Sequence, residues 1–520
     1  MHGEGSPMTS IADTLKQCKP GECVEREESY EELADELRKM VLTSGREGAS
    51  IQEVEKAVWG RVLKLGYLAL RLFVQQAGEG DLGEEIELPG GRQVRRLPKP
   101  HKRVFLSVFG EMEIWRFVYG TREGQKIEHV PLDSRLDLPA GKFSELLQEW
   151  SQLFTVDQAF ARAQKMLKNL FGLSIPIDSL ERICRNMSEL VVDYWDSLKP
   201  PPPEEEGELL VETADFKGVP MIGAEPSVCS ESGDLQRPEG KKKMALLGGV
   251  YSVDRFKRTP EEVADALFHE PATKPARSRP KVQHKRLRAS LERDEDGKTA
   301  PAVAEIFSWM ALEAEARNPD GTKEVICLTD GQPCLEEAAR EYLNAEKIPV
   351  FVFILDLLHV TPGLWKAGKL LGAKKGRKLS AFVRKRVERI LRGEVDAVVA
   401  GLRSMATRRK LKGKKLKKLQ RICGYYESNR HRMQYHDYLA AGYPIATGVI
   451  EGACRHIVKD RLERSGMRWV LQGAQAMLDL RTVDASGAWD EFQSYRRRKQ
   501  TDRLYPFRGT FDTAQLRLVA

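Results

Sequence analysis

The chain has 520 residues, of which 41% are hydrophobic and 31% are charged, and its formal net charge is +8. This composition is that of a globular protein, and the length predicts two to four domains. The eight cysteines include no C-x-x-C pair, which argues against a zinc ribbon or a disulfide framework. No window approaches 18 uninterrupted apolar residues and no signal-peptide pattern opens the chain, so we expect a soluble cytoplasmic protein without a membrane partner.

The first part of the chain, residues 1–80, is predicted to be mainly helical after an unstructured start over residues 1–27. Apolar side chains recur at helical spacing in two stretches, residues 30–42 and 51–76. Residues 78–91 are rich in glycine and glutamate and are predicted to be a linker. They are followed by a basic extended arm, residues 95–103, and by an alternating pattern over residues 104–119 that predicts a β-hairpin.

A second region, residues 92–199, combines this hairpin with predicted helices. The helices cover residues 144–154, 156–171 and 178–198. The last two are joined by a short turn that contains Gly172. This arrangement is compatible with a helix-turn-helix, whose second helix would enter the major groove of DNA, or with a plain helical bundle. We predict a DNA-binding region that ends at a stiff proline-rich linker, residues 200–203.

Strands and helices alternate beyond the linker, over residues 205–495. Predicted strands cover residues 208–215, 218–223, 244–252, 324–330 and 350–356, and predicted helices cover residues 303–317 and 334–343. A polar, basic insert is assigned to residues 271–299, a basic helical insert to about 362–435, and a tail to 496–520. Three antiparallel strands followed by α/β crossovers predict an α/β fold, in which a mixed sheet carries helices on both faces.

Acidic residues follow the apolar strands of this sheet. Asp215 and Asp330 each end a predicted strand, and Asp356 ends another. Each of them could be no more than a turn or helix-cap residue. However, the carboxyl ends of neighbouring strands converge, so Asp215 and Asp330 are expected to lie close together. Glu451, in the first turn of a helix predicted over residues 447–466, would add a third carboxylate.

Three carboxylates at one place repel one another unless a divalent cation neutralises them. Carboxylate oxygens suit Mg²⁺ or Mn²⁺, and two such ions about 3.5–4 Å apart would promote an in-line phosphoryl transfer. Arg455 and Lys459 follow Glu451 at i+4 and i+8, on roughly one face of the same helix. With Arg461 they would contact the phosphodiester backbone. The alternative is an ordinary solvated helix face.

The most basic stretch of the chain is the basic block, which we define as residues 408–421. It holds nine Lys and Arg residues among fourteen and no acid. Such a block suits a polyanion, or else it forms a solvated, partly disordered loop. The bases expected to bind DNA here are Lys410, Lys414, Lys415, Lys417 and Lys418.

Four short motifs carry a resemblance to a known family. They are Asp215-Phe-Lys-Gly-Val-Pro220, Thr329-Asp-Gly-Gln332, Asp356-Leu-Leu-His359, and Gly448-Val-Ile-Glu-Gly-Ala453 with its continuation through Lys459-Asp-Arg and Gly466-Met-Arg-Trp469. In this order they resemble the ribonuclease-H-like core of DDE transposases. The chain is most similar to the Mutator-like group and, within it, to bacterial insertion-sequence transposases of the ISKra type. The likeness covers roughly residues 95–495.

The resemblance implies a ribonuclease-H-like catalytic domain in which Asp215, Asp330 and Glu451 hold two Mg²⁺ or Mn²⁺ ions, with Asp356 and His359 in support. It implies a nucleoid-associated DNA transposase that works as a homo-oligomer on DNA, frees 3′-hydroxyls at its element's ends and joins them to target DNA. An inactive DNA-binding relative and a stand-alone nuclease are the alternatives. Residues 119–131 contain no cysteine, unlike many relatives, which argues against a zinc knuckle there.

Overall fold

The computed structural model describes residues 29–121, 127–222, 242–269, 278–291, 293–295, 298–300, 302–343, 351–373 and 375–508. The predicted unstructured start and the end of the predicted tail, residues 509–520, lie outside them. The chain divides into two compact units, of which one is formed by residues 188–489 and the other by residues on either side of that stretch. Among the described residues, no helix combines the length and the apolar character needed to cross a membrane.

The unit outside residues 188–489 contains helices and two small antiparallel sheets. Its first helices are α1 (Tyr30–Arg46), α2 (Ile51–Gln76), α3 (Pro131–Arg135), α4 (Glu145–Asp157), α5 (Phe160–Phe171) and α6 (Ile177–Ser188). Its strands are β1 (Glu85–Leu88), β2 (Arg92–Arg96), β3 (His101–Ser107), β4 (Gly110–Arg116) and β5 (Tyr119–Gly120). Helices α1 and α2 begin where the sequence predicts, because Ser29 and Ser50 form capping boxes there.

The predicted hairpin is confirmed as β3 and β4, which pair antiparallel. The predicted linker and basic arm before it are wrong in part, because they contain β1 and β2. These strands pair with each other, and β2 also pairs with β5. Ile86, Leu88 and Val94 are buried in a small core with Tyr119. The sequence does not predict these strands, because their apolar residues alternate with charged ones over only a few positions in a highly charged stretch.

The unit of residues 188–489 holds the larger sheet. Its strands are β6 (Leu209–Pro220), β7 (Lys242–Val253), β8 (Gln283–Leu291), β9 (Arg293–Glu295), β10 (Lys298–Ala300), β11 (Glu324–Thr329) and β12 (Phe351–Leu355). Its first helices are α7 (Val191–Ser197), α8 (Pro260–Phe268), α9 (Ala302–Arg317), α10 (Pro333–Tyr342), α11 (Leu357–Leu370) and α12 (Arg377–Leu391). They are followed by α13 (Val395–Arg408), α14 (Gly413–Asn429), α15 (Tyr435–Ala441), α16 (Gly448–Ala453), α17 (Asp460–Leu462) and α18 (Leu471–Ser486). The last helix, α19 (Trp489–Leu504), belongs to the other unit apart from its first residue.

Five strands form a mixed sheet in the order β12-β11-β6-β7-β8. Strand β11 is parallel to both β6 and β12, whereas β6, β7 and β8 are antiparallel. The predicted α/β class with a mixed sheet is therefore confirmed. One face of the sheet packs its apolar residues, among them Leu210 and Val250, under α9 and α10. The other face, with Val211 and Ile326, packs against the helices of the predicted insert.

The three antiparallel strands are not the three that the sequence predicts. Residues 218–220 of the strand predicted at 218–223 continue β6, and the third strand, β8, lies in the stretch assigned to a polar insert. Strand β8 buries Leu287 and Leu291. The bases of β8 make its sequence look like a polar loop. In the structure, Arg286 is neutralised by the buried Glu313, 2.8 Å away. Sequence alone gave no reason to pair these two residues.

Candidate active site

The first feature of the site is the juxtaposition of Asp215 and Asp330. The parallel pairing of β6 with β11 ends at Ala214 and Thr329, and the two aspartates come next in each chain segment. Asp215 does not end its strand, as the sequence predicts, because β6 continues beside β7 to Pro220. The two aspartates are 8% and 9% exposed. Both acids therefore lie directly after the last paired residues of the two parallel strands.

His359 completes a cluster with these two acids. One ligand atom from each of Asp215, Asp330 and His359 lies within 4.8 Å of the others. His359 stands in the first turn of α11, and Asp356 caps this helix by accepting a 2.7 Å hydrogen bond from the Leu358 N–H. His359 therefore lies at the carboxyl end of the sheet, because its helix begins directly after β12. We call Asp215, Asp330 and His359 the acidic cluster.

The groups of the acidic cluster shift one another's pKa values. Burial raises the pKa of Asp215 and the charge of Asp330 adds to the rise, whereas His359 and a hydrogen bond from the Cys454 thiol oppose it. The Asp356 carboxylate, 3.6 Å from Nδ1, raises the pKa of His359 to about 9. A protonated His359 thus offsets part of the negative charge of the two aspartates.

Asp356 connects two elements of the site. It is 1% exposed, and its Oδ2 accepts hydrogen bonds from the hydroxyl of Thr447 and, at 3.4 Å, from the Thr447 N–H. Thr447 directly precedes α16, the helix that carries Glu451. Asp356 therefore holds the helix of His359 and the helix of Glu451 against the end of one strand, a geometry consistent with a supporting residue.

Glu451 borders the acidic cluster but is not one of its members among the described residues. Its side chain is exposed, and its charge contributes to the raised pKa of Cys454 one turn further along. Cys454 in turn hydrogen-bonds to Asp215. The proposed triad thus has two members in contact range and a third beside them, on a helix start.

The helix predicted over residues 447–466 is confirmed over residues 448–462, but it is not one regular α-helix. A π-helical segment, Cys454–Lys459, follows α16, and a 3₁₀ turn, Arg464–Gly466, ends the stretch. The buried Arg481 donates to the carbonyl of Ile457 at 3.0 Å and also to that of His456, which satisfies groups inside the widened segment. Because a π turn is wider than an α turn, Arg455 and Lys459 lie at other angles from Glu451 than a regular α-helix would give them.

The three bases predicted to contact DNA after Glu451 have different surroundings. Arg455 and Lys459 are exposed, and Arg455 lies 3.7 Å from Asp460. Arg461 is 0% exposed, and its guanidinium lies over the ring of Trp469 at 5.0 Å. Arg461 therefore packs the interior and cannot reach a phosphate, contrary to the prediction.

The basic block is helical rather than a loop for most of its length. It covers the end of α13 and the first half of α14, and all nine of its bases are exposed, including Lys410, Lys414, Lys415, Lys417 and Lys418. Within the described part of the chain, none of the nine forms an ion pair with an acid. Their charge is therefore available to a polyanion.

Tyr425, on α14, is a site residue that sequence reasoning missed. Its ring packs so closely on Gly331, next to Asp330, that a Cβ at Gly331 would lie 2.3 Å from it. Burial raises the pKa of Tyr425 to about 12, and the nearby Gly331 N–H opposes part of the rise. The Asp-Gly pair signals a turn, but no signal in the sequence joins that turn to a residue 94 positions later.

The chain matches no protein-family model and no curated protein sequence. The structure itself defines an α/β unit with two buried aspartates and a histidine at the carboxyl end of its mixed sheet. Any more specific assignment depends on this geometry and on the four motifs.

Proposed function

We propose that the protein is a DNA transposase with a ribonuclease-H-like catalytic unit, which cleaves phosphodiesters at the ends of its element and joins the freed 3′-hydroxyls to target DNA. The observation that carries the proposal is the acidic cluster. Asp215 lies on the first strand of the mixed sheet and Asp330 directly follows the fourth, with Glu451 on a late helix. This is the placement that the resemblance to DDE transposases implies.

The acidic cluster fits a divalent cation. Asp215 and Asp330 offer hard oxygen ligands, which suit Mg²⁺ and Mn²⁺. The imidazole of His359 lies within reach of the same point and would bind the ion only after losing its proton. Glu451, on the adjoining helix start, would hold a second ion. When bound, such ions activate the attacking oxygen and stabilise the leaving one.

The other residues around the site orient these ligands and bind DNA. The Cys454 thiol fixes one oxygen of Asp215, and Asp356 with Thr447 holds the start of α16 in place. Arg455, Lys459 and some bases of the basic block would bind phosphates of the element's ends or of the target. The hairpin and helices of the other unit would recognise the ends, and the working complex would be a homo-oligomer on DNA.

The experiment that tests this proposal uses DNA carrying the flanking sequences of the gene, a supercoiled target plasmid and Mg²⁺. We expect cuts at the element's ends followed by joining to the plasmid. Glu451→Gln should lower cleavage by several orders of magnitude. Glu463→Gln is the matched control, because Glu463 pairs with Lys242, 2.7 Å away, and should cleave nearly normally.

Three outcomes would contradict parts of the proposal. Cleavage without joining would favour the stand-alone nuclease. Binding without cleavage in either Mg²⁺ or Mn²⁺ would favour the inactive relative. Wild-type cleavage by Glu451→Gln would remove Glu451 from the triad.

A further inference from the structure

Helix α14 carries three bases and one tyrosine on a single stripe. Lys414, Lys418, Arg421 and Tyr425 are separated by four, three and four residues. At about 100° per residue this spacing keeps all four within roughly 40° of one direction. The three bases are exposed, whereas the opposite face of the helix is buried in the core through Leu419, Cys423 and Tyr426.

The stripe begins at the acidic cluster. Tyr425 packs on Gly331, the residue after Asp330, so this end of the stripe touches the turn that holds a proposed metal ligand. With a rise of about 1.5 Å per residue, the three bases lie roughly 6, 10 and 16 Å along the helix from Tyr425. A strand of B-DNA advances about 3.4 Å per nucleotide, so these distances correspond to roughly two, three and five nucleotides.

The stripe bases differ from the arginines of the neighbouring helices. Arg389 pairs with Glu394, and Arg403 pairs with Glu427, 2.6 Å away in each case. The charges of these two arginines are balanced by acids of the protein. Within the described part of the chain no acid pairs with Lys414, Lys418 or Arg421, and the basic block contains no acid. Their charges are therefore not balanced by acids of the protein.

We propose that Lys414, Lys418 and Arg421 form a phosphate track that guides one strand of duplex DNA towards the acidic cluster. The inference rests on the proposed function, since it takes the acidic cluster as the place of cleavage. It goes further than a basic block that attracts DNA, because it selects three of the nine bases and predicts their order along the strand. Arg421 contacts the phosphate nearest the cut and Lys414 the most distant.

The basic block supplies its own control. Lys415 and Lys417 lie on α14 about 80° to either side of the stripe, and Lys410 precedes the helix. A track variant changes Lys414, Lys418 and Arg421 to Gln, and a control variant changes Lys410, Lys415 and Lys417 to Gln. Both lose three charges from the same block, so a general attraction of DNA predicts equal effects.

The test measures the affinity of each full-length protein for a 40-base-pair duplex over a range of salt concentrations, with no divalent cation present. Each neutralised phosphate contributes about −0.9 to the slope of log K against log[salt], so the track variant should lose roughly 2.7 of that slope. The slope of the control variant should change by less than about 0.9, the contribution of one phosphate. Equal losses in the two variants, or a larger loss in the control, would overturn the track.

A second measurement separates this inference from the proposed function. Ethylated DNA is cut by the wild-type protein with Mg²⁺, and the ethylated phosphates that prevent cutting are mapped. We expect interference at about two, three and five nucleotides on one side of the cut, and the farthest position should disappear in Lys414→Gln. Cleavage with interference elsewhere would overturn the track alone. A track-specific salt slope in a protein that never cuts DNA would overturn the proposed function alone.

Discussion

Glu212 is a fully buried carboxyl group in the unit of residues 188–489. It lies on β6, and its cross-strand neighbours Val250 and Cys327 belong to the core under α9 and α10. It is 0% exposed, and neither carboxyl oxygen has a hydrogen-bond partner in the part of the chain that the structure describes. Burial raises the pKa of Glu212 from its usual 4.5 to about 8. The folded protein therefore holds this proton at neutral pH, whereas the unfolded chain does not.

The size and sign of the effect follow from linkage. A rise from 4.5 to about 8 corresponds to about 5 kcal/mol, at roughly 1.4 kcal/mol per pH unit. Because the folded pKa is the higher one, the stabilising contribution is complete below about pH 4.5 and is lost as the pH rises to about 8. Above that value, the folded state also releases the proton and the loss levels off.

Urea unfolding of the wild type and of Glu212→Gln between pH 5 and pH 8 tests this reasoning. Glutamine has almost the same shape but no charge, so other titrating groups cancel in the difference between the two proteins. The wild type should lose about 4 kcal/mol relative to the variant across this range. A difference that stays constant with pH would show that Glu212 is hydrated or paired in the folded state.

Two further substitutions test contacts around the acidic cluster. Thr447→Val removes the hydroxyl that donates to the buried Asp356, so the free energy of unfolding in urea should fall by about 1–3 kcal/mol. Thr447→Ser keeps a hydroxyl and should largely avoid this loss. Equal losses in the two variants would show that the hydrogen bond does not contribute to stability. Gly331→Ala would place a Cβ 2.3 Å from the Tyr425 ring, so DNA cleavage should fall at least about tenfold through displacement of the turn. Gly424→Ala, whose Cβ would meet no atom within 4 Å, should cleave normally, and normal cleavage by Gly331→Ala would contradict the contact.

Much of the unit of residues 188–489 could be predicted because it follows local rules. The apolar runs before Asp330 and Asp356 have the length and composition of buried strands, and the polar residue after each run falls at the carboxyl end of the sheet. The adjacency of Asp215 and Asp330 then follows from parallel pairing. His359 is placed near them only by the resemblance, and the structure has it in the first turn of the helix after β12.

The features that sequence reasoning missed depend on partners far away in the chain. Strand β8 looks polar until Glu313 neutralises Arg286. The π segment after Glu451 contacts Arg481, which comes from α18 and donates to the carbonyl of Ile457. Arg461 has the charge of a DNA-binding residue, but its place under the Trp469 ring is set by packing. None of these pairings leaves a periodic signal in the sequence.

The central claim is that the acidic cluster holds a divalent cation for DNA cleavage. The most direct measurement is an anomalous difference map from crystals of the full-length protein with a DNA duplex and Mn²⁺. The account predicts a peak about 2–2.5 Å from carboxylate oxygens of Asp215 and Asp330, and no peak there in Asp330→Asn. Bound DNA with no peak at these two carboxylates in the wild-type protein would contradict it.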